Sequence, residues 1–475
     1  MTNNSVRLRG GKSASTIFYE VLSSAIKEFD LDAGELNWPS SVSRFKKDYV
    51  NLIPRFEVMR LAHRERTAIA NHMATEILTY LVVEDEQRLE DKLLHAADEL
   101  PLSSVNGQGS LDWQPRFFYE GRDWHDFAAL GGQLLKDNVI NQGAAESLAF
   151  ASQELIGPEG VSLKGRKIVV LGAAAEIAST REFLASGADI LWLDKAPPPE
   201  ELLAGQGYSG TLSFAEDNAD LLTQPVEILN TIKQFASESP IDLCLYAYAP
   251  GQARELRLTG TMCAMVNALP SESIASVTML VSPTTASALD QEDIDVMEAR
   301  LEDRPGWESI LDSLGLLGNA AGVEREGSFA TIKSLVSIQG ASYQAAQYLC
   351  KLIMAEAWAS HGHLFQPDFI PLRVSANTAA ITQTKSLDHP VFDAAFGGAA
   401  ALQVQTFTPE QSQCLNAVLT IVDWLKKERP VPGAVRIHGG IHTLPYPLEA
   451  ALKPAAAIGF AKSPGLLMGL VRGGK

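Results

Sequence analysis

The first residues along the chain that could bind a ligand form a turn with small side chains. The run KIVVLG at 167–172 is β-branched and apolar like a buried strand, and it continues into the helix-like GAAAEIASTREFLASGA. A helix N-terminus offers free N–H groups and a partial positive charge, and small side chains let a pyrophosphate approach that backbone. Gly172 can supply the turn, while Ala173 and Ala175 keep the approach open. This spacing predicts a pyrophosphate site.

A carboxylate stands where the next strand-like run ends. DILWLD, at 189–194, closes on Asp194, about twenty residues after the turn, where a carboxylate can accept hydrogen bonds from the hydroxyls of an adenosine ribose. This position favours NAD(H). Lys195 follows directly and could instead neutralise a 2′-phosphate, so NADP(H) is the alternative cofactor.

Such a turn needs a parallel sheet to position it, and the second part of the chain has the sequence pattern of a parallel sheet. Short apolar runs alternate with helical segments, which is typical of strands covered on both faces. The sequence therefore predicts an α/β fold with a doubly wound, Rossmann-type parallel sheet. Its candidate strands lie at residues 167–172, 189–194, 211–215, 242–249, 276–282, 369–376 and 434–439.

The first part of the chain has a different pattern. Apolar residues recur at helical spacing up to about residue 99, and a polar stretch with Gly and Pro at 101–115 interrupts them. We therefore expect a mainly helical N-terminal region at 1–160 and a Rossmann-type domain at 161–475, with an insertion at 286–330 and a C-terminal extension. The helical region is expected to serve in homo-oligomerisation or in docking a partner protein.

Composition restricts the class of protein. The chain is 46% hydrophobic and 20% charged, which is typical of a globular protein. Its net charge of −18 disfavours nucleic acid and anionic membranes as partners, and no apolar run approaches the ~18 residues of a membrane span. The four cysteines form no CxxC pair and the histidines no ligand pattern, so we expect a cytoplasmic protein without a metal site.

From Arg166 to Pro445 the sequence resembles the short-chain dehydrogenase/reductase family, especially its 3-oxoacyl-thioester reductases. GAAAEIA keeps the first family glycine as Gly172 and the family isoleucine as Ile177, with Glu176 at another glycine position. The resemblance implies that these residues contact a nicotinamide dinucleotide.

Two further segments resemble cofactor-binding strands of that family. DLCLYAYAPG resembles the strand that ends against the adenine and its ribose, and it implies contacts from Ala249 and Gly251. FIPLRVSANTAAITQTKS resembles the sixth strand and the loop that covers the nicotinamide, where Thr378, Thr382 and Thr384 are candidate contacts.

The resemblance also assigns catalytic positions. Ser282 would hold the substrate carbonyl, Tyr343 would be the acid or base, and Gln347 stands where the family has a lysine. A glutamine can hydrogen-bond a ribose but cannot lower the tyrosine pKa from about 10. Lys351 lies about 12 Å further along a regular helix and is expected to be too remote, while a pairing of Tyr348 with Lys351 is the alternative register.

These assignments imply an NAD(P)-dependent oxidoreductase that interconverts a ketone and a secondary alcohol, with a small molecule or an acyl thioester as substrate. The alternative is a catalytically inactive nucleotide-binding or assembly module of the same fold, indicated by Gln347 and the altered YAYAPG motif. The insertion at 286–330 would be a lid over the substrate pocket, an extra pair of surface helices or a subunit contact.

Overall fold

The computed structural model describes residues 5–466 apart from 96, 110–112, 319, 363–369, 381 and 388. Within these residues a seven-stranded sheet forms the centre of the molecule. Its strands are β1 (Leu102–Asn106), β2 (Lys167–Leu171), β3 (Asp189–Leu193), β4 (Thr211–Ala215), β5 (Ile241–Leu245), β6 (Ile274–Val281) and β7 (Val374–Thr378). Their order is β7-β6-β5-β2-β3-β4-β1, and neighbours are parallel except for the antiparallel pair β1 and β4.

This order is that of a doubly wound sheet. From β2 the chain moves outward through β3 and β4 on one side and returns to add β5, β6 and β7 on the other. The central strands are apolar along their whole length because both faces are covered: Val169 and Leu171 face one core, and Ile168 and Val170 face another. The prediction of a Rossmann-like, mainly parallel α/β sheet is confirmed.

One predicted strand is wrong. Residues 434–439 form no strand, and Ile437 makes only an isolated bridge to Ile140. The seventh strand is β1, which comes from the polar stretch at 101–115. As an edge strand, β1 pairs on one side only and its residues alternate between exposed and half-buried, so it lacks the apolar run on which the strand predictions depended.

Helices cover both faces of the sheet. They are α1 (Ala14–Glu28), α2 (Val42–Ala62), α3 (Arg66–Thr79), α4 (Leu89–Leu93), α5 (Phe127–Lys136), α6 (Gln142–Phe150), α7 (Thr180–Ala185), α8 (Glu200–Leu203), α9 (Pro225–Phe235), α10 (Arg254–Ala268), α11 (Gln291–Glu302), α12 (Gly306–Ser313), α13 (Gly340–Gln347), α14 (Met354–His361), α15 (Pro390–Ala399), α16 (Pro409–Leu425) and α17 (Leu448–Lys462). Short antiparallel pairs join Arg7–Leu8 to Leu81–Val82, Phe117–Tyr119 to Arg122–Trp124, and Val323–Glu326 to Phe329–Ile332.

The N-terminal helices share a hydrophobic core with the sheet. Phe18 of α1, Phe56 of α2 and Met73 of α3 are buried in the same cluster as Leu245 and Met279 of the central strands. They cover one face of the sheet, and α7 and α16 pack on the other. A domain boundary at residue 160 stays a prediction.

One long helix carries most of the expected catalytic residues. Helix α13 continues into a π-helical segment, Tyr348–Ile353, and then into α14 without a break. A π segment widens the turn relative to an α-helix, so side chains on either side of it do not follow regular α-helical spacing.

Candidate functional site

The sheet has a topological switch point between β2 and β5, where the chain leaves toward opposite edges. In open α/β sheets, ligands bind at such a point, beyond the carboxyl ends of the strands. A cavity of about 570 Å³ lies there, between the turns after β2, β5 and β6 and the helices α13, α15 and α17. Its volume is within the range of about 300–1,000 Å³ that is usual for small-molecule sites.

The turn after β2 requires a glycine. Gly172 has a φ of +88°, and a Cβ there would lie 2.2 Å from the backbone nitrogen of Ala247, because the ends of β2 and β5 touch. The helix expected directly after Gly172 begins only at Thr180. Residues 173–179 instead form a loop that is closed by local hydrogen bonds. In one of them the Ala175 N–H donates to the Gly172 carbonyl over 3.0 Å.

This loop forms one wall of the cavity. Ala174, Ala175, Glu176 and Ile177 line it, and Ala173 is buried behind them. Within the described part of the chain, the backbone N–H groups of Glu176 and Ile177 donate no hydrogen bond. The loop therefore keeps two donors that could bind a phosphate oxygen.

The side chain of Glu176 acts against such a phosphate. Its Oε2 accepts a 2.9 Å hydrogen bond from the backbone N–H of Lys385. The backbone carbonyl of Glu176 accepts a 2.8 Å hydrogen bond from Gln413 Nε2. A carboxylate at this position repels a polyphosphate, while the Lys385 side chain on the same cavity offsets part of that charge. The loop therefore offers backbone donors to a phosphate, while the Glu176 carboxylate opposes one.

Asp194 directly follows β3 and supports the same loop. Its Oδ2 accepts from the backbone N–H of Ala174 over 3.0 Å and its Oδ1 from that of Ala196 over 2.9 Å. Each oxygen has a second lone pair, and the residue is partly exposed, so a ribose hydroxyl could still donate to it. Lys195 forms an ion pair with Asp220, at 3.0 Å.

The turn after β5 presents other residues to the cavity than those expected. Tyr248 and Pro250 line it, and Ala249 and Gly251 do not. Ala249 packs against the main core instead, and the Gly251 N–H donates to Glu255 Oε1 over 3.0 Å.

A cluster of hydroxyls lies at the end of β6. Ser282 Oγ is 2.8 Å from Thr284 Oγ1, and Thr284 Oγ1 donates to Gln339 Oε1 over 2.7 Å. Because the one hydroxyl proton of Thr284 is directed at Gln339, Ser282 is the donor to Thr284. Tyr343 lines the same part of the cavity.

Tyr343 is held in its neutral form. Burial raises the pKa of its phenol to about 12, and the nearby hydroxyls of Ser282 and Thr284 offset only part of that rise. Glu255 also raises this pKa, and no cation contributes to lowering it. The ring of Tyr248 packs edge-on against Tyr343, with 6.0 Å between ring centroids.

Two glutamines connect the helix to this cluster. Gln347 lines the cavity, and its Oε1 accepts from the backbone N–H of Ser282 over 2.9 Å, so it fixes the end of β6. Gln339 was not anticipated from the sequence. It ends the short 3₁₀ turn Ser337–Gln339, and Gly340, with a φ of +80°, separates it from the regular helix of Tyr343, so helical spacing gave no signal for it.

Lys351 lies on the cavity side of the same helix. It lines the same cavity as Tyr343, and its expected remoteness from the Tyr343 hydroxyl stays a prediction. Its Nζ donates to the carbonyl of Leu280 over 2.7 Å, and burial lowers its pKa to about 8. The alternative pairing of Lys351 with Tyr348 is not formed at the cavity, since Tyr348 is buried on the far side and donates to Glu57.

The threonines after β6 and β7 have different roles. Thr382 and Thr384 line the cavity. Thr378 is buried away from it, where its hydroxyl donates to the carbonyl of Ile437 over 2.8 Å. Thr378 therefore fixes the segment that was predicted to be a strand.

The insertion at 286–330 does not cover the cavity. No described residue of it is part of the lining. Its hairpin lies against α2, where Arg55 pairs with Glu324, and Arg300 of α11 donates to the carbonyls of Gly440 and Leu402. Among the described residues, α15 and α17 line the cavity and the insertion does not, so the lid stays a hypothesis.

Comparisons with known proteins add little. No protein-family model matches the sequence, and no curated protein matches it. Among solved structures, the chain is similar to the MalC reductase/Diels-Alderase from Malbranchea aurantiaca, with 14% identity over 59% of this chain and 96% of that chain and a TM-score of 0.31. At this TM-score the likeness carries no argument for fold or function.

Two other features concern possible partners. Among the described helices, none is both long and apolar enough to cross a membrane. The same part of the chain contains no group of three or more His, Cys, Asp or Glu side chains placed to hold a metal ion.

Proposed function

We propose that the protein is an NAD(P)-dependent reductase of a ketone or aldehyde. The observation that supports this proposal best is the position of Tyr343, whose phenol lies beside Ser282 and Thr284 in the cavity at the switch point. When bound, the nicotinamide supplies a hydride to the carbonyl carbon. The backbone N–H groups of Glu176 and Ile177 would hold a phosphate.

The environment of Tyr343 favours reduction over oxidation. With a pKa of about 12, its phenol is protonated at neutral pH. An alkoxide that forms from a carbonyl is a stronger base than a phenolate, so Tyr343 can donate its proton to that oxygen. In the reverse direction a phenolate would have to accept the alcohol proton, and burial without a cation keeps the phenolate rare.

The hydroxyls beside Tyr343 position the substrate carbonyl. Ser282 and Thr284 form a chain that ends at Gln339, and both also lie within hydrogen-bonding reach of the Tyr343 phenol, which is the proton donor to the carbonyl oxygen. Gln347 holds the backbone of Ser282 in place. Loss of Gln347 would therefore disturb the orientation of the carbonyl.

A second candidate function is ligand binding without turnover. Two observations favour it: no cation lowers the pKa of Tyr343, and the carboxylate of Glu176 lies on the loop that would hold the phosphate. Such a protein would use the same cavity as a sensor or as part of an assembly.

Fluorescence titration with NADH and NADPH, followed by cofactor oxidation with a panel of ketones and 3-oxoacyl thioesters, separates the two functions. A reductase binds one cofactor and oxidises it, and Tyr343→Phe removes the oxidation but not the binding. Binding with no turnover, or turnover that Tyr343→Phe leaves unchanged, would overturn the reductase proposal. Absence of binding to either cofactor would overturn the nucleotide site.

A further inference from the structure

One part of the cavity is built by the C-terminal helices. We name this part the C-terminal chamber. Its wall is formed by α15, α17 and neighbouring segments, and its lining residues are Leu387, Phe392, Ala395, Phe396, Ala399, Leu402, Val404, Ile441, Leu444, Leu448, Ala451, Leu452 and Ala455.

The two helices present matching faces to the chamber. Phe392 and Phe396 lie one turn apart on α15, and Leu448 and Leu452 lie one turn apart on α17. The phenylalanines are half-buried and line the cavity. Their rings therefore offer apolar surface that a ligand can cover.

Small residues hold the helices in close contact. A Cβ on Gly398 would lie 1.8 Å from the carbonyl oxygen of Ala455, and one on Gly459 would lie 1.8 Å from that of Ala394. The backbones of α15 and α17 therefore touch, so the wall of the chamber is a packed unit.

Few of the residues that line the whole cavity are charged. The charged residues among the described lining are Glu176, Lys351 and Lys385, which lie on the loop after β2, on the helix of Tyr343 and on the loop after β7. The chamber wall itself is entirely apolar. A charged group placed there would lose its hydration without gaining a partner.

We infer that the substrate is a neutral carbonyl compound whose apolar body lies in the C-terminal chamber while its carbonyl oxygen meets Tyr343. This inference rests on the proposed function, because it assigns the carbonyl to the hydroxyl cluster. It extends that function by specifying a free ketone or aldehyde instead of a thioester on a phosphate-bearing carrier.

The distribution of cations argues against such a carrier. A phosphate-bearing arm needs cations along its path, and Lys351 is already bound to the carbonyl of Leu280. Lys385 is then the remaining cation of the described lining, and it lies beside Glu176.

Calorimetric titration of the whole chain with 2-hexanone, 2-octanone and 2-decanone tests this inference. The affinity should rise about fourfold with each added methylene, since each one is removed from water in the chamber. 3-Oxodecanoyl coenzyme A should bind more weakly than 2-decanone. An affinity that does not depend on chain length, or tighter binding of the coenzyme A thioester, would overturn the inference.

Matched variants on α17 locate the binding. Ala451→Phe fills the chamber and should weaken 2-decanone binding at least tenfold, whereas Ala457→Phe places the same ring on the exposed side and should leave it unchanged. Phe396→Ala enlarges the chamber, so it should raise the affinity for 2-dodecanone relative to 2-decanone. If Phe396→Ala left that ratio unchanged, the chamber would not be the site.

These titrations are independent of the proposed chemistry. They are run without cofactor and measure no turnover. Failure of the protein to bind NADH or NADPH would therefore leave the chain-length series intact, and failure of the series would leave cofactor binding intact.

Discussion

Two tyrosines on one helix meet opposite environments. Tyr343 lines the cavity among neutral hydroxyls and amides. Tyr348, five residues later, is fully buried, and its hydroxyl donates to Glu57 Oε2 over 2.5 Å. Burial is the main cause of a raised pKa at both phenols, but only Tyr348 has a cation, Arg60, that acts against the rise.

The charge beside Tyr348 belongs to a network that joins the N-terminal helices to this helix. Arg60 of α2 binds both oxygens of Glu57 at 2.8 Å and Glu356 Oε2 of α14 at 2.8 Å, and Arg66 binds Glu356 Oε1 at 3.0 Å. The pKa of Glu356 is lowered because the attraction of Arg60 and Arg66 exceeds the effect of burial. The ion pairs thus fix the position of the helix from behind.

This difference shows how one helix can serve two purposes. Its charged side is tied to α2 and α3 and sets where the helix lies. Its cavity side carries the proton donor, where a cation close to the phenol would lower the pKa of Tyr343. Because the ion pairs lie on the other side, the pKa of Tyr343 stays high.

The largest expected effect follows removal of the phenol that faces the cavity. Tyr343→Phe should reduce carbonyl reduction by about 10²–10⁴-fold, because it removes the proton donor. Tyr348→Phe, the matched control, should leave kcat within about threefold and should cost about 1–3 kcal/mol of stability, since it removes one buried hydrogen bond to the charged Glu57, which keeps those from Arg60. Rates measured by NAD(P)H absorbance and urea unfolding check both variants. Equal loss of activity in the two would remove the distinction between them.

The next effect concerns the ion network. Arg60→Met should lower the free energy of unfolding by about 3–5 kcal/mol, because Glu57 would remain buried without its partner. Lys12→Met breaks an ion pair with Glu20 whose side chains are 38% and 31% exposed, and it should cost less than about 1 kcal/mol. Urea unfolding of both variants measures the difference. Similar losses would indicate that the buried network does not hold the helix.

A third change gives Tyr343 the cation that it lacks. Gln347→Lys should lower the pKa of Tyr343 from about 12 by about 1–3 units, because a cation one helical turn away favours the phenolate. Absorbance titration at alkaline pH, compared with Gln347→Lys combined with Tyr343→Phe, isolates this phenol. An unchanged pKa would mean that residue 347 does not act on Tyr343.

The smallest effect is a pH dependence from Lys351. Burial lowers its folded pKa to about 8, while in the unfolded chain it stays near 10.5. Between these values the unfolded chain binds more protons, so this residue should make stability rise with pH, by at most about 1.4 kcal/mol per pH unit. Lys351→Met should remove that rise, as measured by urea unfolding at pH 8 and 10. Persistence of the slope in the variant would assign it to another group.

The fold was largely predictable from the sequence because strands that are buried on both faces are apolar along their whole length. β2, β3, β4, β5 and β6 lie within a few residues of their predicted positions, and β7 begins later than expected, at Val374. The wrong strand at 434–439 and the missed strand β1 have one cause. Apolar composition indicates burial and not pairing. Segment 434–439, with its apolar Val435 and Ile437, is mostly buried without pairing in the sheet, whereas edge strand β1 pairs without deep burial.

The site was predictable in part. Ser282, Tyr343 and Gln347 all line one cavity, and the roles that the resemblance gives them stay predictions. The sequence did not indicate that Gln339 completes the hydroxyl cluster, since that depends on a contact between residues far apart in the chain.

The sequence by itself determined the parallel sheet and the glycine turn after β2, because strand composition and local spacing are properties of neighbouring residues. Ser282 and Tyr343 came only from the resemblance. Only the tertiary structure decided that the carboxylate of Glu176 lies at the cavity, where it opposes a phosphate. It also decided that Tyr343 is neutral while Tyr348 is bound to a buried ion network, and that α15 and α17 cover the cavity. Each of these depends on which distant groups share a low-dielectric interior, where a missing or added charge changes a pKa far more than it does in water.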